Sequence, residues 1–153
     1  EAMTPIHHLA YGKKVTYLKP HHEADYKGSG NTTLTDGMLG DWGPFGSRWQ
    51  GFYGDMDVVV DLGFVQEIHS VSASFLQVLA AGLLAPNKIE ILVSDNGRDF
   101  TSLYKENCRL NDHINYDIIK HKWEGSIKTR FIRLHATRDI TWGNILSDEI
   151  VVK

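Results

Sequence analysis

Ser70-Val71-Ser72-Ala73-Ser74-Phe75 places an apolar side chain at every second position with serine between. Successive side chains of an extended strand point to opposite faces, so this run has one apolar face and one small, polar face. The same period recurs on both sides of it. Ile89, Ile91 and Val93 alternate with Glu90 and Ser94, and Asp95-Asn96-Gly97 follows with residues that tolerate a positive φ, which predicts a hairpin. Val58-Val59-Val60-Asp61-Leu62-Gly63 reads as a compact strand ending at glycine. Ile114, Tyr116 and Ile118 form a further alternating set, as do Ile132, Leu134 and Ala136, and Ile150-Val151-Val152 closes the chain. No segment sustains a helical stripe over three turns. Short strands separated by Gly, Asn and Asp turns predict an all-β fold, an antiparallel β-sandwich of jelly-roll type.

A chain of 153 residues, 42% hydrophobic and 23% charged, has the composition of one globular domain with a core of its own. Residues 1–5 read as a linker to a longer polypeptide, and residues 6–153 as a single domain. A net charge of −3 gives no uniform positive field for phosphate backbones, so nucleic acid is excluded as an expected partner. The apolar stretch from Val78 to Pro86 is about half the ~20 residues of a membrane span. It reads as core, as a docking surface toward another domain, or as a membrane-touching loop. The single cysteine, Cys108, belongs to no CxxC or Cys/His zinc spacing and has no orienting histidine nearby in sequence. The adjacent pairs His7-His8 and His21-His22 read as solvated surface residues.

The stretch from Lys19 to Gly54 carries no strand pattern, and a loop of that length is usually functional. It holds Trp42, Phe45, Trp49, Phe52 and Tyr53 among glycines. A pyranose packs its apolar face on an aromatic ring and offers its hydroxyls to planar polar groups. Candidate platforms are therefore Trp42, Trp49, Tyr53 and Trp142, with Arg48, Asp55, Gln77 and Asn144 as polar partners. Trp49 reads equally well as core, since it comes shortly before the first core strand and tryptophan is often largely buried. Asp55, Asp57 and Asp61 do not form the paired-carboxylate site a glycosidase needs, so no catalysis is expected of this chain.

Six segments in order carry a resemblance. They are Leu34-Thr35-Asp36-Gly37; Arg48-Trp49-Gln50-Gly51-Phe52; Val60-Asp61-Leu62-Gly63 leading into Ile68-His69-Ser70-Val71; Val93-Ser94-Asp95-Asn96-Gly97-Arg98-Asp99-Phe100; Arg130-Phe131-Ile132-Arg133-Leu134; and Ser147-Asp148-Glu149-Ile150-Val151-Val152. Together they resemble the discoidin-like domain, also called the coagulation factor V/VIII C-type domain or family 32 carbohydrate-binding module, with a galactose-binding-domain-like fold. The Trp-Gln-Gly-Phe run and Ser74-Phe75-Leu76-Gln77 are similar to the domain appended to bacterial β-N-acetylhexosaminidases, the chitobiases.

The resemblance implies a noncatalytic accessory domain of an extracellular, periplasmic or cell-surface glycoside hydrolase. Its partners would be a glycan containing N-acetylglucosamine or galactose and the catalytic domain of the same polypeptide. It also implies a structural calcium ion held by Asp36, Asp41 and Glu149 with backbone carbonyls, since a hard cation takes several oxygens at once. The alternatives are a module that docks on the catalytic domain without binding sugar, for which exposed Leu83 and Leu84 would speak, and a lipid- or protein-adhesion module.

Overall fold

The computed structural model describes residues 4–40, 48–138 and 143–153. Seven strands follow one another: β1 (Lys14–Tyr17), β2 (Gln50–Phe52), β3 (Met56–Val78), β4 (Lys88–Ser94), β5 (Thr101–Asn107), β6 (Tyr116–Thr137) and β7 (Ile145–Val152). Strands β3 and β6 are 23 and 22 residues long and pair antiparallel along most of their length. Their register shifts between Asp61↔Phe131 and Gln66↔Thr129. An irregularity of this kind lets a long strand bend from one layer to another.

The first half of β3 pairs with β1, and the second half of β6 pairs with β4, which pairs in turn with β5. The second half of β3 pairs with β7, which carries β2 at its other edge. The architecture is the antiparallel β-sandwich that the alternating pattern predicts. Two readings change. The run from Val58 does not end at Gly63 but continues through it into the Ser70–Phe75 segment, and the sets at 116–118 and 132–136 are two ends of one strand. The hairpin at Asp95-Asn96-Gly97 joins β4 to β5 as expected, with Ser94 Oγ accepting the Gly97 amide at 2.9 Å.

The main core lies between the layers. It takes Val58, Val60 and Leu62 from the first half of β3, Ile68, Val71, Ala73 and Phe75 from the second, Ile89, Ile91 and Val93 from β4, and Ile132, Leu134 and Ala136 from β6. A second cluster, Trp49, Leu76, Val78, Leu83 and Leu146, uses the other face of β3 and β7. That is why β7 is buried on both sides over Ile145–Ile150. The long segment before β3 supplies the cover, with a short 3₁₀ turn at Gly30–Thr35 and then β2. Leu83 and Leu84 are 0% and 1% exposed, so of the three readings of the 78–86 stretch these leucines follow the core one, while Ala80 and Ala81 face solvent.

The strand aspartates are paired across the sheet. Asp57 accepts from Arg133 Nε and Nη2 at 2.8 and 2.6 Å, and Asp61 accepts from Arg130 Nε and Nη2 at 2.8 and 3.0 Å. The Asp57 side chain is 6% exposed against 28% for Asp61. Arg133→Met strands a buried carboxylate and is expected to cost about 2 kcal/mol in urea unfolding, whereas Arg130→Met, at a solvent-screened pair, costs less. Equal losses would remove the distinction.

Candidate functional site

Four backbone segments converge at one end of the sandwich. The His22 amide donates to Gly51 O at 2.8 Å and the Gly51 amide to Tyr26 O at 2.7 Å, which fastens the 22–26 segment to β2. The Asn144 amide donates to Gly82 O at 2.8 Å and the Leu84 amide to Asn144 O at 2.9 Å. The approach of these last two loops depends on Gly143. Its φ is +86°, and a Cβ there would lie 2.7 Å from Gly82 O, so any larger residue forces the loops apart.

On this frame sits an aromatic pair. The Tyr53 ring lies on the His22 imidazole with centroids 3.7 Å apart and planes 14° from parallel. Tyr53 is 61% exposed while His22 is 3% exposed, so the histidine backs the tyrosine and leaves its outer face to solvent. His22 Nε2 and Asn144 Oδ1 are 3.1 Å apart, and Tyr26 meets the same imidazole edge-on. Burial lowers the His22 pKa, which favours the neutral ring. Arg138 Nη1 donates to Gly143 O at 2.6 Å and Nη2 to Tyr53 O at 2.9 Å, tying the tyrosine to the 143–144 segment. Burial pulls the Arg138 pKa down and the nearby charge of Asp55 opposes this. Tyr53, Asp55 and Asn144 are thus brought together as expected. An exposed ring with rigid amide, carboxylate and guanidinium groups around it matches what a sugar requires.

The other expected residues are placed differently. Trp49 is 1% exposed in the second core cluster, so it is no platform. Gln77 is 1% exposed and donates its amide hydrogens to Asn111 O and Ile114 O at 2.9 and 2.8 Å, bracing a loop instead of facing a ligand. Burial raises the Asp36 pKa and the Arg48 charge opposes this weakly, which places Arg48 near the acidic cluster described next. Trp42, Trp142 and Asp41 lie outside the described residues. His22 and Arg138 were missed: the first reads as half of a surface pair, and the second carries no motif. A buried histidine is visible only once the 19–54 segment is seen to cover the sheet.

The second feature is a buried acidic cluster. Glu149 Oε2 accepts from the Gly37 amide at 2.8 Å and lies 2.6 Å from His8 Nε2, while Glu149 Oε1 is buried with no hydrogen-bond donor among the described residues. Asp148 accepts from the Gly40 amide at 2.8 Å. Burial, and then the charges of Asp36 and Asp148, push the Glu149 pKa up to about 9, and burial pushes Asp148 to about 6. Desolvation lowers His8 to about 4. His8 and His22 are therefore not solvated surface residues. An orphaned carboxylate oxygen beside a second carboxyl fits an oxygen-seeking cation, so Asp36 and Glu149 suit the role expected of them.

The third feature surrounds Cys108. Its Sγ lies 3.9 Å from His121 Nε2, and His121 Nδ1 lies 3.1 Å from Glu106 Oε2, which also accepts from Tyr104 Oη. The orienting histidine absent from the local sequence is thus supplied by another strand. Burial and then the Glu106 charge raise the thiol pKa, which opposes a free nucleophilic thiolate.

Among solved structures, the chain is similar to chitosan-binding module 1 of a chitosanase/glucanase from Paenibacillus sp. IK-5, at 18% identity and a TM-score of 0.61 over 97% of this chain and 99% of that one. It is similar to the Clostridium perfringens module CpGH89CBM32-5, solved with GalNAc-β-1,3-galactose, at 19% identity and 0.62 over 91% and 93%. A Ruminococcus gnavus GH29 fucosidase, solved with fucose, matches at 15% identity and 0.63 over 95% of this chain, which spans 26% of the fucosidase. These likenesses show the fold. A search of curated protein sequences found no match. The F5/8 type C domain model matches residues 20–150, nearly the whole sandwich, and the chain therefore belongs to the F5/8 type C domain family.

Proposed function

We propose that this chain is a noncatalytic carbohydrate-binding accessory domain that holds a glycan containing N-acetylglucosamine or galactose near a glycoside hydrolase. The observation that carries this reading is the Tyr53 ring, backed by buried His22 and open on its other face. A pyranose stacks there, and Asp55, Asn144 and Arg138 meet its hydroxyls. The site is open, so it covers little of a monosaccharide and single-site affinity is low. Tethering such a site to an enzyme raises the local glycan concentration without new chemistry. The parent enzyme we favour is a β-N-acetylhexosaminidase acting outside the cytoplasm, on the resemblance of Trp49-Gln50-Gly51-Phe52 and Ser74-Phe75-Leu76-Gln77. Of the two marks of a docking module, exposed Leu83 and Leu84 are absent, and only a buried tryptophan, Trp49, is met.

A calcium ion held by Asp36 and Glu149, with Asp41 as the third carboxylate, is part of this proposal. It would neutralise the buried acids and tie the segment after the 3₁₀ turn to β7.

A glycan array on the purified chain, followed by calorimetric titration of the best oligosaccharide, tests the reading. Tyr53→Ala is expected to weaken binding by about 0.5–1.5 kcal/mol beyond the lost contact area. Tyr53→Phe retains most of the affinity. An array without hits, or unchanged affinity in Tyr53→Ala, would refute the site.

A further inference from the structure

Glu106, Cys108 and His121 form a group outside both sites above. One ligand atom from each lies within 4.8 Å of the others, and among the described residues no other group of three His, Cys, Asp or Glu side chains meets that criterion. We propose that Cys108 Sγ, a ring nitrogen of His121 and the Glu106 carboxylate bind a zinc-class divalent cation.

The donor set is sulfur, imidazole nitrogen and carboxylate oxygen, which suits zinc and not calcium. Bonds of about 2.0–2.3 Å in a tetrahedron put ligand atoms about 3.3–3.7 Å apart. His121 reaches Glu106 Oε2 through Nδ1 at 3.1 Å and Cys108 Sγ through Nε2 at 3.9 Å, so one ring nitrogen is the ligand, and with one atom taken from each residue all three lie within 4.8 Å of one another, about 1 Å beyond that range. The ion replaces the protons these groups now share, and the Cys108 thiol releases one proton as it becomes a ligand.

The placement supplies the rest of the argument. His121 is 6% exposed and its ring meets core Phe75 edge-on at 6.0 Å, so its orientation is fixed before any ion arrives. Glu106 is positioned by Tyr104 Oη, a ligand's own hydrogen-bond partner of the kind that tunes metal affinity. The Glu106 side chain is 42% exposed and Cys108 is half-buried, which leaves an entry path and room for water as a fourth ligand. Glu106 lies on β5, which pairs only with β4, whereas His121 lies on the half of β6 that pairs with β3 opposite Ala73. A bound ion would clasp the edge strand of one layer to a strand of the other.

The test is titration of the metal-free chain with Co²⁺, a spectroscopic stand-in for Zn²⁺, alongside alkylation of Cys108 with and without Zn²⁺. The expected result is a thiolate-to-cobalt charge-transfer band that zinc abolishes, and thiol labelling slowed by zinc. Cys108→Ser removes the band, while Tyr104→Phe keeps it and weakens binding about 10-fold. A charge-transfer band does not arise from the other histidines, so the readout is specific to this thiol. Absence of the band in the folded parent chain with zinc-independent labelling overturns the proposal, as does zinc affinity unchanged in Cys108→Ser.

Discussion

Trp49→Ala is expected to destabilise the chain by about 3–5 kcal/mol in chemical denaturation. The indole is 1% exposed and packs in the cluster with Leu76, Val78, Leu83 and Leu146, against which Tyr26 also lies. Its packing is tight enough that a Cβ added at Gly40 would fall inside the ring, 2.1 Å from Cε2. Removing it leaves a cavity between sheet and cover, and the neighbours recover only part of it. Tyr53→Ala, by contrast, removes an exposed ring and should alter stability by less than about 1 kcal/mol while reducing glycan binding. The two aromatics of one segment thus have opposite expected phenotypes. A stable Trp49→Ala that has lost only glycan binding would return Trp49 to the role of platform.

Chelation is expected to make stability fall steeply as pH rises above neutrality. The Glu149 carboxyl is raised from 4.5 to about 9 in the folded chain. The unfolded chain releases this proton at the lower value, so the folded state binds more protons between the two, and stability declines with rising pH until about 9. Asp148, raised from 3.8 to about 6, acts in the same direction but is exhausted near 6. His8, lowered from 6.5 to about 4, acts in the opposite direction, its contribution being lost as pH falls below 6.5. Above pH 6.5 the Asp148 and His8 terms are spent, and well below 9.0, the ordinary thiol value from which burial raises Cys108, melting temperatures chiefly follow Glu149. Calcium at 100 times its dissociation constant should restore about 2.7 kcal/mol, because it binds the folded carboxylates alone. Glu149→Gln should flatten the pH slope and abolish the calcium response. A parent chain whose melting temperature ignores both pH and calcium would leave the acidic cluster as an ordinary hydrogen-bonded turn.

The sandwich was legible because period-two alternation survives in Ser70–Phe75, Ile89–Val93 and Ile132–Ala136, each half-buried against one core. The continuity of β3 and β6 was not. Gly63 punctuates the sequence but only marks a place where one strand changes layer, and a register shift has no local signature. β1 and β2 were missed because strands of 4 and 3 residues are shorter than the period needs to show itself. Of the proposed site, Tyr53, Asp55 and Asn144 are named by residue chemistry alone, and the structure places them near one another. Gln50 and Trp49, within the run that carries the narrower resemblance, serve the fold: Gln50 is fully buried and bonds Tyr17 Oη and Gly30 O. His8 and His22 were misread together, because distant residues help bury them: Glu149 lies 141 positions from His8 and Asn144 lies 122 positions from His22.

The central claim is that glycan sits on Tyr53 and its surroundings. Backbone and side-chain NMR shifts recorded during titration with N-acetylglucosamine and galactose oligosaccharides locate the ligand without any substitution. The account predicts that the largest changes fall on His22, Tyr53, Asp55, Arg138 and Asn144, with Trp49 and Gln77 following only as neighbours. Shifts confined to another face of the sandwich, or none at saturating sugar in a chain that remains folded, would contradict it.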